Sequence, residues 1–131
     1  MVVSNPKQMK YFNYSEFDSP DLPNSGINMD ASFLQLLDQC RETAGVPFKI
    51  TSGYRTKEYN QSLKDKGYKA SKNSAHLKGF AVDIAATDSV TRHKIISAAL
   101  AVNINRIGVA KTFVHLDTDP EKPSQHCIWT Y

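Results

Sequence analysis

Residues 74–85 read Ser74-Ala75-His76-Leu77-Lys78-Gly79-Phe80-Ala81-Val82-Asp83-Ile84-Ala85. Bulky Phe80, Val82 and Ile84 alternate with Ala81, Asp83 and Ala85, and a period of two predicts a strand with one bulky face and one small face. Asp83 projects from the small face, where its alanine neighbours leave room above the sheet for an ion or a substrate. A carboxylate on a buried strand is costly unless it is paired or bound to a metal. The same stretch therefore predicts a sheet and a site on that sheet, with Gly79 permitting the tight turn between His76 and Asp83.

A second stretch, Phe113-Val114-His115-Leu116-Asp117-Thr118-Asp119, has the same character. His115 and Asp117 share one face by the period of two, with Asp119 following on that side, while Val114 and Leu116 turn to the core. Two imidazoles and one carboxylate, with a fourth position left open, make the ligand set of a catalytic zinc site. His76, Asp83 and His115 match that set. On spacing alone, an ordinary hydrogen-bonded His–Asp pair accounts for them equally well.

Working outward, Phe33, Leu34, Leu36, Leu37 and Cys40 recur at helical intervals over 30–44, between an Asp30 cap and a Gly45 stop. Val46–Thr51 reads as a strand leading into Ser52-Gly53-Tyr54-Arg55-Thr56, and 56–66 as a polar helix ended by Gly67. A third helix is expected over 88–102, with Val90, Ile95, Ile96, Ala99 and Leu100 inward. Two strands at 105–109 and 112–117 should be joined by a turn near Ala110 and Lys111. Residues 127–131 should pair with the sheet or pack beneath it. Residues 1–10 read as a loose tail, and Tyr11–Gly26 as a wrap anchored by Phe12 and Phe17. The expectation is an α+β fold, helices on one face of a small, largely antiparallel sheet, in one domain over 11–131.

With 131 residues, 40% hydrophobic and 22% charged, the chain has the composition of one globular unit, which excludes a repeat array or wholesale disorder. Sixteen Lys and Arg against 13 Asp and Glu leave a net charge of +3, too slight and dispersed to indicate nucleic acid. Cys40 and Cys127 lie far apart and exclude a four-cysteine zinc site. No apolar run suggests a membrane span, and the N-terminal residues carry no Sec-type signal. The expectation is a monomer made in the cytoplasm that needs separate delivery to any external substrate.

The spacing SxHxxGxAxD, filled by Ser74, His76, Gly79, Ala81 and Asp83, with SGYRT upstream and FVHLDTD downstream, resembles peptidase family M15. That family comprises zinc D,D-peptidases and L-alanyl-D-glutamate peptidases, and the likeness is to its small single-domain branch in phages and bacteria, from about Phe12 to Tyr131. The resemblance implies the hedgehog/D,D-peptidase-like fold. It implies one Zn2+ held by His76, Asp83 and His115 with water completing the shell, lowering that water's pKa and polarising a scissile carbonyl. Arg55 would face the substrate carbonyl or carboxylate, its competing role being a helix cap or a surface ion pair. Ser74 would touch the substrate or support a ligand, unless it only bonds local backbone.

One position departs from the family pattern. Many relatives carry an acid three residues before the last His, where this chain has Thr112. Asp117 is the substitute candidate for the catalytic base, and an orienting bond to a His ligand is its equally weighted alternative. Asp119 is a third candidate for the base, ranked below Asp117 because Asp119-Pro120 also reads as a turn starter. His93 and His126 read as surface residues; Tyr54, Tyr59 and Trp129 read as groove lining or core. The implied function is zinc-dependent hydrolysis of a peptidoglycan peptide bond, for phage lysis or wall remodelling. The activities compatible with it are D-Ala-D-Ala carboxypeptidase, crosslink endopeptidase and L-alanyl-D-glutamate endopeptidase. The alternative, suggested by Thr112, is a metal-bearing binding module without catalysis, like the similarly folded hedgehog signalling domain.

Overall fold

Alternation along the two signature stretches builds the centre of the sheet. Strands β2, Ala81–Ala85, and β4, Phe113–Asp117, run antiparallel, with Ala81 opposite Asp117, Asp83 opposite His115 and Ala85 opposite Phe113. Val82, Ile84, Val114 and Leu116 fall on one face and are fully buried. The opposite face receives Asp83, His115 and Asp117. Strand β1, Ile50–Ser52, flanks β2, and β3, Arg106–Val109, flanks β4. Beyond β3 lies β5, Cys127–Thr130, the one strand paired in parallel among the described residues, giving the order β1-β2-β4-β3-β5. The fold is α+β with a largely antiparallel sheet, as the patterning predicts. The computed structural model describes residues 9–68 and 70–131.

Helices α1, Ala31–Ala44, and α3, Ser89–Ala101, pack together over the bulky face. Asp30 caps α1 by accepting from the Phe33 amide at 2.9 Å, and Gly45 ends it in the left-handed region at φ 69°. From α1, Phe33, Leu34, Leu37 and Cys40 enter the core; from α3, Ile95, Ala98 and Ala99 do. Helix α2, Lys57–Asp65, capped by Thr56, buries only Asn60 and borders the polar face instead.

Three details differ from the expectations. Val90 and Leu100 are 65% and 45% exposed. Each is five residues from Ile95, so at 3.6 residues per turn it points about 140° away from the buried side. The strand expected over 46–51 is confined to Ile50–Ser52, because Pro47 lacks a donor, Phe48 turns into the core and the register slips between Ile50 and Ser52. Of the tail expected over 1–10, residues 1–8 lie outside the described residues, and Lys10 donates its amide to Asp38.

The N-terminal wrap does structural work for the site. Phe12 and Phe17 are buried with ring centroids 5.4 Å apart, and the Phe17 carbonyl accepts the Tyr54 amide at 2.9 Å. A Cβ on Gly53 would stand 2.7 Å from Phe17 Cα, so only glycine lets the wrap close on this segment. No helix among the described residues is long and apolar enough to cross a membrane.

Candidate metal centre

Three separate pieces of backbone deliver the central side chains. His76 stands in a 3-10 turn, Ala75–Lys78, whose first free amides are met by Ser74: its Oγ accepts from the His76 amide at 3.2 Å. Gly79 ends the turn at φ 79°, where a Cβ would come 2.4 Å from the Asn28 carbonyl oxygen. Asp83 is central in β2, and His115 is its direct partner in β4. One donor atom from each of His76, Asp83 and His115 lies within 4.8 Å of the others, and all three residues are buried.

The hydrogen bonds around the two imidazoles test whether these residues suit a cation. His76 Nδ1 sits 2.7 Å from the Gly53 carbonyl oxygen, which can only accept, so Nδ1 carries the hydrogen. In the neutral ring Nε2 then presents a lone pair, and it faces Asp83 Oδ1 at 3.3 Å. His115 meets carboxylates on both sides, Asp117 Oδ2 at 2.6 Å from Nε2 and Asp83 Oδ1 at 3.0 Å from Nδ1. In the neutral ring, with Nε2–H donated to Asp117, Nδ1 also turns a lone pair toward Asp83. Lone pairs converging on one carboxylate oxygen need a positive charge among them, and the donor set of two imidazoles and a carboxylate fits a divalent metal.

The two rings differ electrostatically, and without a cation His115 favours the charged form that donates to both carboxylates. Burial drives His76 below the ordinary histidine value despite the pull of Asp83, favouring the neutral, ligand-competent ring. Burial also acts on His115, but the bonds to Asp117 and Asp83 outweigh it and raise the value. Asp83 is pushed up by burial, yet His76 and His115 together hold it well below the carboxylate range. Asp117 is held low by His115 against its own burial.

Around this centre the remaining side chains are fixed. Arg55 donates from Nε to Ser52 Oγ at 3.0 Å, from Nη1 to Asn60 Oδ1 at 3.3 Å and from Nη2 to Asp83 Oδ2 at 3.3 Å. Asp117 spends its second oxygen on Arg106 Nε at 2.7 Å and the Asp119 amide at 3.1 Å. A pocket of about 250 Å³ opens over the triad, walled by Arg55, Ser74, Arg106, Trp129 and Tyr131. It shares Arg55, Asp83, Phe113 and Tyr131 with a wider groove of about 630 Å³ that passes Tyr59 and Tyr68.

Of the residues singled out in the sequence, His76, Asp83, His115, Arg55, Asp117 and Ser74 all meet at this pocket. Asp119 is turned away to Lys78 and the Glu121 amide, and Thr112 is exposed in the turn before β4. His93 and His126 are exposed elsewhere. Cys40 lies in the core, its thiol pushed up to about 12 by burial, and it forms no disulfide with Cys127. Sequence reasoning missed Gly53, Asn60 and Arg106. Asn60, buried on an otherwise polar helix, left no visible signal, whereas Arg106 faces the site by the same period of two that places Gly108 opposite His115.

Likeness to known proteins extends over most of the chain. The family model described as "Peptidoglycan L,D-endopeptidase MepK", of the peptidase M15 group, matches residues 6–123. The peptidoglycan L,D-endopeptidase MepK of Escherichia coli (strain K12) is 31% identical over 94 residues, covering 66% of this chain and 51% of that protein. The Shigella flexneri protein of the same name gives the same figures. The chain thus spans about half the length of the curated relatives it matches. The crystal structure of Serratia marcescens L-Ala D-Glu endopeptidase ChiX matches with a TM-score of 0.56 at 18% identity, over 88% of this chain and 94% of that one. At that identity the likeness concerns the fold.

Proposed function

The chain belongs to the peptidase M15 family, and from that premise we propose that it is a zinc-dependent peptidase that hydrolyses an L,D peptide bond in bacterial peptidoglycan. The observation that carries this reading is the convergence of His76 Nε2, His115 Nδ1 and Asp83 Oδ1, ligand atoms of three buried residues brought to one point. The substrate class and the bond follow the family description and the relatives that carry it.

In this reading His76, Asp83 and His115 hold the ion, which when bound supplies a Lewis acid for the scissile carbonyl and a water acidic enough to attack it at neutral pH. Arg55 has two N–H groups left after its bonds to Ser52, Asn60 and Asp83, and it borders the pocket. Those donors are suited to the oxygen that gains charge as the amide carbon turns tetrahedral. Because Asp83 and Asn60 fix the guanidinium beforehand, little reorganisation is needed. Asp117 is assigned to orienting His115, since one oxygen takes the ring N–H and the other takes Arg106 and the Asp119 amide. Ser74 holds the His76 turn through the amide and borders the pocket. The Tyr59 and Tyr68 groove suits an extended peptide leaving the metal centre.

Mass spectrometry of purified peptidoglycan fragments tests the proposal, comparing zinc-loaded protein, chelated protein and His76→Ala. The expected outcome is a new amino terminus at an L,D bond with the loaded protein alone. Release of terminal D-Ala would replace the endopeptidase assignment with carboxypeptidase. Folded, zinc-loaded protein that creates no new terminus would overturn hydrolysis and leave the metal-bearing binding module, the reading that Thr112 favours.

A further inference from the structure

The family match ends at residue 123, yet the residues after it form one wall of the pocket. Strand β5 lies parallel to β3, with Arg106 beside Cys127 and Gly108 beside Trp129. On the other side of β3, Arg106 is opposite Asp117 and Gly108 is opposite His115. Gly108 is thus flanked by an indole and an imidazole, and a Cβ there would come within 2.7 Å of Trp129 Nε1. Its missing side chain lets the Trp129 ring lie across the strand, with its centroid 5.4 Å from that of His115.

Arg106 joins the two sides. Its guanidinium carbon is 5.1 Å from the centre of the Trp129 ring, a cation–π distance. Its Nε donates to Asp117 Oδ1 at 2.7 Å, and Nη1 donates to the Ser124 carbonyl in the loop leading to β5. Asp117 in turn accepts from His115 Nε2.

We infer that Arg106 is a positioning residue of the metal centre: one guanidinium holds Asp117 against His115 Nε2 and Trp129 against the same imidazole, aiming His115 Nδ1 at the cation. The inference rests on the metal reading proposed above. Lysine cannot replace this group, because the planar fork both donates to the carboxylate and stacks on the indole, whereas an ammonium is a compact point charge. The assignment also makes β5 a working part of the site.

The test measures zinc affinity by competition with a chromogenic chelator, together with fluorescence of Trp129, the only tryptophan of the chain. Wild type, Arg106→Met and Arg106→Lys are compared, with circular dichroism as the control for folding. Both variants should bind zinc roughly tenfold to a hundredfold more weakly, with altered indole emission and an emission change on zinc addition smaller than that of wild type. Folded Arg106→Met with wild-type zinc affinity would overturn the inference. Should that variant fail to fold, Arg106→Lys decides by the same criterion. Wild-type protein that binds no zinc would overturn the metal reading and this inference with it, whereas zinc-binding wild type with unaffected variants overturns the inference alone.

Discussion

Asp83 carries more of the site than any other single residue. It faces both imidazoles through Oδ1 and Arg55 through Oδ2. In the metal-free protein burial pushes its pKa up, but His76 and His115 outweigh it and hold it below the ordinary 3.8, so the stabilisation it contributes is complete above that value and is lost as pH falls through the folded value. Asp83→Asn removes that term. Thermal melts of chelated protein between pH 6 and pH 3 should therefore show the wild type ahead at pH 6 and the gap narrowing on acidification; a constant gap would show that Asp83 is not held low. Asp83, His76 and His115 were legible because period-two alternation and a compact spacing mark them in the chain. Gly53 was not, since what it offers His76 is a main-chain carbonyl, and no residue type advertises which carbonyl will face a ring. Arg106 was hidden differently: an arginine on a short strand reads as surface until the register with β4 places it opposite Asp117.

Among the elements, the 3-10 turn that presents His76 is closely constrained by backbone at its end. Gly79 combines a left-handed φ of 79° with a main-chain approach of 2.4 Å from its hypothetical Cβ to the Asn28 oxygen, and the Asp30 amide donates to the Gly79 carbonyl at 2.9 Å. Gly79→Ala should cost more than about 1 kcal/mol, because it combines left-handed strain with a clash against backbone that cannot rotate away. Urea denaturation of the metal-free protein measures it, and a loss below that figure would mean the backbone at 28–30 yields easily. Helix α1 was readable to its caps, for its apolar residues keep to one stripe. Helix α3 was readable in extent and not in orientation: Val90, Ile95, Ile96 and Leu100 surround it, and packing against α1, where Ala98 and Ala99 allow close approach, decides which side is buried.

For the whole molecule, the division of the sheet into a bulky face and a polar face separates stability from chemistry. The core of Phe17, Phe33, Leu34, Leu37, Ile84 and Ile95 lies under the helices and includes none of the proposed metal ligands. Chelated protein should accordingly remain folded, and saturating zinc should raise its melting temperature by mass action, about 4 kcal/mol at a thousand times the dissociation constant. Differential scanning calorimetry with and without chelator checks this; unfolding on chelation would mean the ion is part of the core's stability. The order in which the chain reaches its site has a consequence for biosynthesis. Asp83 and His115 become neighbours only when β4 has come back across α3 to pair with β2. A chain emerging from the ribosome therefore has His76 and Asp83 exposed well before the third ligand exists, and closing that long segment precedes any complete coordination shell. In the metal reading proposed above, a full set of three ligands therefore waits for β4 to pair with β2.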